Sequence, residues 1–115
     1  MENQLIPERL KMAREKLGIT MAEASRRLNL SKIGYCRYEY GDRTPSSQTV
    51  DAIAECFWVS SAYLYGDSES MSPDYLKITK KDNPLLYNLI LECRDVDDTK
   101  YMHLLEYIKL LKNKS

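Results

Sequence analysis

A chain of 115 residues is long enough for one domain, or for one domain with an appendage. It is 43% hydrophobic and 30% charged, and no apolar run reaches the roughly 18–20 residues of a membrane span. The formal net charge is zero: nine basic and eight acidic residues lie up to Gly66, and eight basic and nine acidic residues follow it. The balance argues against a protein that coats nucleic acid, so any DNA binding must come from a local basic surface.

The residues that carry metal and redox chemistry are few. Cys36, Cys56 and Cys93 are odd in number and far apart, which suits neither a disulfide framework nor a zinc site. The lone His103 has no cysteine neighbour at metal-ligand spacing. With no glycine-rich phosphate loop either, we expect no enzyme, metal or cofactor, and a cytoplasmic protein with reduced thiols.

The first predicted element is a helix over about residues 6–17. Pro7 lies near its first turn, where backbone N–H groups have no partner within the helix, so proline is tolerated there. Gly18 can end the helix. Apolar residues recur there at three- and four-residue spacing and define a buried stripe: Leu10, Ala13 and Leu17.

Two short helices joined by a tight turn follow. Thr20 is placed to cap the first, with Glu23 three residues on to close a capping box. Asn29 ends that helix and tolerates the left-handed conformation. Ser31 caps the next helix, and Gly41 terminates it. This arrangement predicts a helix-turn-helix, whose second helix can enter the major groove of DNA.

A fourth helix is predicted over about residues 47–57 and a fifth from Ser60 or Ser61 to Tyr65, ended by Gly66. The fourth has an inward face of Val50, Ile53, Ala54 and Phe57. Five short helices with short connections predict a compact all-α domain over residues 1–66.

The segment from Thr20 to Pro45 resembles the Cro/repressor (XRE, lambda-repressor-like) family over its whole length and without a gap: TMAEASRRLNLSKIGYCRYEYGDRTP. The family's Arg-Tyr-Glu-x-Gly-x-Arg-x-Pro ending is present at residues 37–45. Flanking helices extend the resemblance to about residues 6–66. It implies a five-helix lambda-repressor-like fold and sequence-specific binding of double-stranded DNA.

The resemblance also implies which residues read bases, on the outer side of the second helix of the motif. These are Lys32, Ile33, Gly34 and Arg37. Arginine can bond guanine O6 and N7 together, lysine can do so singly, and isoleucine can touch a thymine methyl. Gly34 would let the helix approach the DNA backbone closely. Ile33 could alternatively belong to the core, and Arg37 could be a solvated surface cation.

Four positions correspond to phosphate contacts in this family: Met21, Ser31, Tyr40 and Arg43. Met21 departs from the pattern, because the family often has a glutamine there that bonds a phosphate. Tyr35 and Tyr38 have the spacing of core residues, and Cys36 suits a small filler better than a redox sensor. Arg14 and Glu39 match positions that form an internal ion pair between the first helix and the recognition helix.

The rest of the chain divides into a linker over residues 67–83 and a helical pair over residues 84–115. Pro84 begins one helix, which runs to about Cys93, and Asp97 or Asp98 caps the other. The pair is rich in apolar residues, among them Leu86, Leu89, Ile90, Leu104, Leu105, Ile108 and Leu111. About 30 residues cannot hold a core of their own. The pair therefore packs on the N-terminal domain or, as we expect, on its copy in a homodimer.

These observations favour a homodimeric repressor of bacterial or phage origin that binds a palindromic operator. The alternative is a protein-interaction module, of the inhibitor or antitoxin type, that retains the helix-turn-helix fold and binds a protein partner.

Overall fold

The structure, a computed structural model, describes residues 4–114, and this part of the chain contains helices and connecting segments without a strand. The helices in chain order are α1 (Pro7–Leu17), α2 (Met21–Arg27), α3 (Lys32–Tyr40), α4 (Ser47–Phe57), α5 (Ser61–Tyr65), α6 (Pro84–Glu92) and α7 (Asp98–Asn113). They belong to two compact units that divide between Lys77 and Ile78. The predicted all-α class is confirmed, with α1–α5 in the first unit.

Side-chain caps set where the short helices begin, and left-handed residues set where they end. The hydroxyls of Thr20 and Ser31 accept from the third residue on, Glu23 N and Gly34 N, as predicted. Asn29 ends the α2 segment with a φ of 59°. The Glu23 carboxylate accepts from Arg26 and Arg27, so these ion pairs replace the second half of the predicted capping box.

The core of the first unit lies among α1–α5. Its largest fully buried side chains are Tyr35, Phe57, Leu10, Ile53, Leu64 and Val50. The rings of Tyr35 and Phe57 meet edge to face, with centroids 6.2 Å apart, and join α3 to α4. Tyr35 and Tyr38 are both buried, as their spacing predicted. This core fixes which side of α3 faces inward, and therefore which side faces solvent.

The chain that follows α5 is tied back onto the first unit. Arg9 of α1 donates to the carbonyl oxygens of Tyr63 (2.9 Å) and Ser68 (2.6 Å). The indole Nε1 of Trp58 donates to the carbonyl of Lys77 at 2.9 Å. These bonds explain why the first unit continues to Lys77 rather than ending with α5.

The second unit contains α6 and α7, and none of its described residues is buried. Asp97 caps α7 by accepting from Lys100 N at 3.0 Å. The Tyr101 hydroxyl donates to the carbonyl of Cys93, which links α7 to the end of α6. Across residues 4–114, no helix is long and apolar enough to span a bilayer.

Candidate nucleic-acid interface

The turn between α2 and α3 holds the two helices in contact. Asn29 adopts the left-handed conformation, and Leu30 N then donates to the carbonyl of Ser25 at 2.8 Å. Ser31 follows in an extended conformation and caps α3. The short path from Leu28 to Ser31 is the connection that a helix-turn-helix requires.

One side of α3 faces solvent, because the helical period separates it from the buried tyrosines. With 100° per residue, the solvent-facing residues span an arc of roughly 140° on α3. We call this the α3 outer face: Lys32, Ile33, Cys36, Arg37 and Tyr40. Ile33 is 69% exposed and Tyr40 65%, so Ile33 is not a core residue. Cys36 is the half-buried member of this face, and its sulfur lies 3.5 Å from that of Met21 on α2.

The α3 outer face combines cations with an apolar centre. All five of its residues line one shallow depression. Lys32 and Arg37 form no ion pair with any residue between 4 and 114, and neither does Arg43 just beyond α3. Such cations are free to meet an external anion, while Ile33 offers a surface without hydrogen-bonding groups.

Gly34 lies at the margin of this face and has a local role. Its N–H donates to the Ser31 hydroxyl at 3.0 Å, and a Cβ on Gly34 would lie 2.9 Å from that oxygen. The absent side chain therefore leaves room for the cap that begins α3. This contact explains why residue 34 is a glycine, which the sequence pattern alone does not.

The four predicted phosphate positions differ in their surroundings. Ser31 and Arg43 are exposed beside the α3 outer face, and Tyr40 is exposed on it. Met21 is half-buried against the core, and its sulfur lies 3.5 Å from the sulfur of Cys36. A thioether has no hydrogen to donate, so the side chain of Met21 cannot form a hydrogen bond to a phosphate oxygen.

Arg14 and Glu39 meet between α1 and the last turn of α3. The guanidinium donates to both carboxylate oxygens, at 2.6 and 3.1 Å, and to the carbonyl of Ile19 at 2.9 Å. Only 11% of the Arg14 side chain and 3% of the Glu39 side chain are exposed. The hydrogen bond from Arg14 to Glu39 raises the pKa of the guanidinium above its usual value. This buried pair fixes the rotation of α3 about its axis.

Tyr35 is a third member of that network, which the sequence reasoning missed. Its hydroxyl donates to Glu39 Oε2 at 2.5 Å. Burial, and then the Glu39 carboxylate, raise the pKa of this hydroxyl, so it stays protonated and remains a donor. The signal was present, because Tyr35 and Glu39 are four residues apart on one helix.

The second unit carries the predicted self-association residues in exposed positions. Those of α7 share one stripe: Leu104, Leu105, Ile108 and Leu111. On α6, Leu89 and Ile90 are exposed and Leu86 is half-buried. Among residues 4–114 there is no cluster of three or more histidine, cysteine, aspartate or glutamate residues that could hold a metal.

Known proteins share these features. A family model described as helix-turn-helix matches residues 10–64, which include α2, the turn and α3. The HTH-type transcriptional regulator ImmR of Bacillus subtilis (strain 168) is 32% identical over 101 residues. The match covers 84% of this chain and 73% of that protein. It is too long to be confined to the first unit, so the similarity extends into the second.

Proposed function

Because the chain belongs to the XRE-type family of helix-turn-helix, DNA-binding transcriptional regulators, we propose that it is a repressor that binds a palindromic operator as a homodimer. Family membership accounts for DNA binding and transcriptional regulation. We also place the protein in the cytoplasm of a bacterium, encoded by its chromosome or by a phage.

The α3 outer face is the observation that carries the proposal. It presents two cations without ion-pair partners in residues 4–114 and an exposed aliphatic side chain on one helix. In the major groove, Arg37 would bond guanine O6 and N7, and Lys32 would add a single hydrogen bond to a neighbouring base. Ile33 would touch base edges by apolar contact. Gly34 would keep the start of α3 close to the DNA backbone.

Phosphate contacts would surround this face and fix its register on the duplex. Ser31, Tyr40 and Arg43 have exposed hydroxyl or guanidinium groups suited to phosphate oxygens. The side chain of Met21 would support the interface by packing against Cys36 and would supply no hydrogen bond to a phosphate. Arg14 and Glu39 would act indirectly by orienting α3.

The second unit would provide the dimer interface. Isolated helices shorter than about 12–15 residues are marginal in water, and α6 has only 9 residues. Neither α6 nor the 16-residue α7 has a buried residue that would tie it to a core. Tyr101, Leu104, Ile108 and Leu111 follow a three-four-three spacing along α7. This spacing gives a continuous apolar stripe that a second α7 can cover around a two-fold axis.

Selection from a random duplex library with the full-length protein tests the proposal. A two-fold dimer predicts an enriched sequence with two inverted half-sites, about 34–36 Å apart from centre to centre. Enrichment of single, unpaired half-sites would contradict the dimer, and the absence of any enriched sequence would contradict sequence-specific binding. Placing the enriched site over a reporter promoter would then show whether the protein represses.

A protein-interaction module is the second candidate. Zero net charge, nine tyrosines and the replacement of a phosphate-bonding side chain at Met21 favour it. The two readings differ in salt dependence: DNA affinity falls steeply as salt rises, because phosphate contacts release counterions. The affinity of a tyrosine-rich protein contact would change little with salt concentration.

A further inference from the structure

Ile33 is an aliphatic side chain that the fold itself does not use. It is 69% exposed on α3, whereas the core is complete with Tyr35 and Tyr38 on the other side of the helix. Cys36 and Tyr40 adjoin it in the same shallow depression, and Lys32 and Arg37 flank them. The centre of the α3 outer face is thus apolar and its margins are cationic.

Only one feature of a base edge in the major groove matches an aliphatic side chain. The C5 methyl of thymine is apolar, and every other distinguishing group there is a hydrogen-bond donor or acceptor. Ile33 has neither a donor nor an acceptor. Ile33 therefore cannot distinguish thymine O4 from the N4 amino group of cytosine. The methyl of 5-methylcytosine lies on the same ring carbon as that of thymine, so it presents Ile33 with the same group.

We propose, on the basis of the function proposed above, that Ile33 reads a C5 methyl group rather than a particular base. At one base pair in each half-site the protein accepts thymine or 5-methylcytosine and discriminates against uracil and unmethylated cytosine. Cys36, in the same depression, completes the apolar surface that receives the methyl. Arg37 lies four residues further along α3, about 6 Å along the helix axis, and would contact a different base pair from Ile33.

Cytosine methylation consequently strengthens binding at this position. A site with cytosine there is weak when unmethylated and gains affinity when the C5 methyl is added. The sequence preference of the protein therefore depends on the methylation state of the DNA as well as on its sequence.

The test uses a duplex enriched by the full-length protein from a random library. Each thymine of the half-site is replaced in turn by deoxyuridine, symmetrically in both half-sites, and the dissociation constant is measured by fluorescence anisotropy. At the position where deoxyuridine weakens binding, a duplex with cytosine is then compared with one that has 5-methylcytosine. Within each pair only the methyl differs, so the effect of the methyl is isolated.

Burial of one methyl predicts about a fourfold gain in affinity per half-site, and roughly 10- to 20-fold when both half-sites carry it. The thymine-to-uracil ratio and the 5-methylcytosine-to-cytosine ratio should agree. Ile33→Ser should reduce both ratios to about one, and Ile33→Val should retain most of the effect. Arg37→Ala, a change on the same face, should weaken binding while preserving both ratios.

Specific binding with ratios near one at every thymine would overturn the inference and leave the proposed function intact. Ratios that persist in Ile33→Ser would likewise overturn it, because another group would be reading the methyl. If no duplex is enriched, both the proposed function and this inference are wrong. Since Ile33 is exposed, the variants should melt like the parent, which thermal unfolding checks.

Discussion

Buried and exposed charges have separate tasks in the first unit. Arg14 and Glu39 are withdrawn from solvent and join α1 to α3, whereas Lys32 and Arg37 point outward from α3. A buried pair adds little net stability, yet removing one partner leaves an uncompensated charge. Substitutions of the buried charges should therefore lower stability, whereas substitutions of the exposed charges should mainly change DNA binding.

Arg14→Met should destabilise the protein by about 3–5 kcal/mol, because Glu39 loses its partner while remaining buried. DNA affinity should fall as a consequence, since α3 is no longer held in one orientation. Lys16→Met, an exposed position on the same helix, is the control and should change stability by less than about 0.5 kcal/mol. Thermal unfolding and DNA titration decide: an unchanged melting temperature with selective loss of DNA binding would make Arg14 a direct contact.

Arg37→Ala and Arg43→Ala should separate base reading from phosphate contact. We expect Arg37→Ala to cost about 1–3 kcal/mol on the preferred site and to relax specificity at one base pair. Arg43→Ala should weaken binding to all sequences about equally. Competition between the enriched duplex and random DNA measures both effects, and identical behaviour of the two variants would refute the assignment of the α3 outer face.

Glu23 should make a small contribution to stability that depends on pH. The hydrogen bonds from Arg26 and Arg27 lower its pKa from 4.5 to about 2. The unfolded chain then binds the proton first, so this contribution is complete above about pH 4.5 and disappears as the pH falls towards 2. The melting temperature of the parent should exceed that of Glu23→Gln at neutral pH, and the two should converge near pH 2. A difference independent of pH would rule out the ion pairs as its cause.

At the scale of elements, the two units obtain their stability differently. Each of α1–α5 contributes to a shared core, and the segment up to Lys77 is bonded to it. The helices α6 and α7 bury no residue, and the Tyr101–Cys93 bond links them. The first unit should therefore fold alone, whereas the second should depend on association.

Truncation tests where the first unit ends. A chain ending at Lys77 should fold as a monomer with weak half-site affinity. A chain ending at Gly66 loses the bonds from Arg9 to Ser68 and from Trp58 to Lys77, each contributing about 0.5–1.5 kcal/mol. It should melt roughly 5–15 °C lower. Equal melting temperatures would mean that residues 67–77 do not stabilise the unit.

Ile108→Asp tests the α7 stripe. A charge at the centre of an apolar interface cannot be solvated there, so the full-length protein should shift from dimer towards monomer while α1–α5 stay folded. Lys109→Asp places the same residue one position along, outside the stripe, and should leave the dimer intact. Light scattering distinguishes them. If the parent protein is itself monomeric at micromolar concentration, the α7 stripe is not a dimer interface.

Across the whole molecule, local features such as helix caps could be predicted from the sequence, whereas hydrogen bonds between distant residues could not. Caps and left-handed stops are set by neighbouring residues, so Thr20, Ser31 and Asn29 were predicted correctly. Trp58 also has a φ of 59°, but a bulky aromatic residue gives no warning of that conformation. Among the bonds that attach residues 67–77, those to the backbone carbonyls of Ser68 and Lys77 have no sequence signature.

The candidate site was predictable to a similar extent. The exposed positions of Lys32, Ile33 and Arg37 follow from the helical period once Tyr35 is placed in the core. The local role of Gly34 depends on a distance to the Ser31 hydroxyl, which no pattern of residue types encodes.

The salt dependence of binding to the enriched duplex tests the central claim most directly. For a dimer in which Lys32, Arg37 and Arg43 of each protomer lie against the DNA, the logarithm of the association constant should fall linearly and steeply with the logarithm of salt concentration. Arg43→Ala should make that slope shallower by about one unit per removed contact. A slope near zero, unchanged in Arg43→Ala, would contradict DNA binding through this face and favour a protein partner instead.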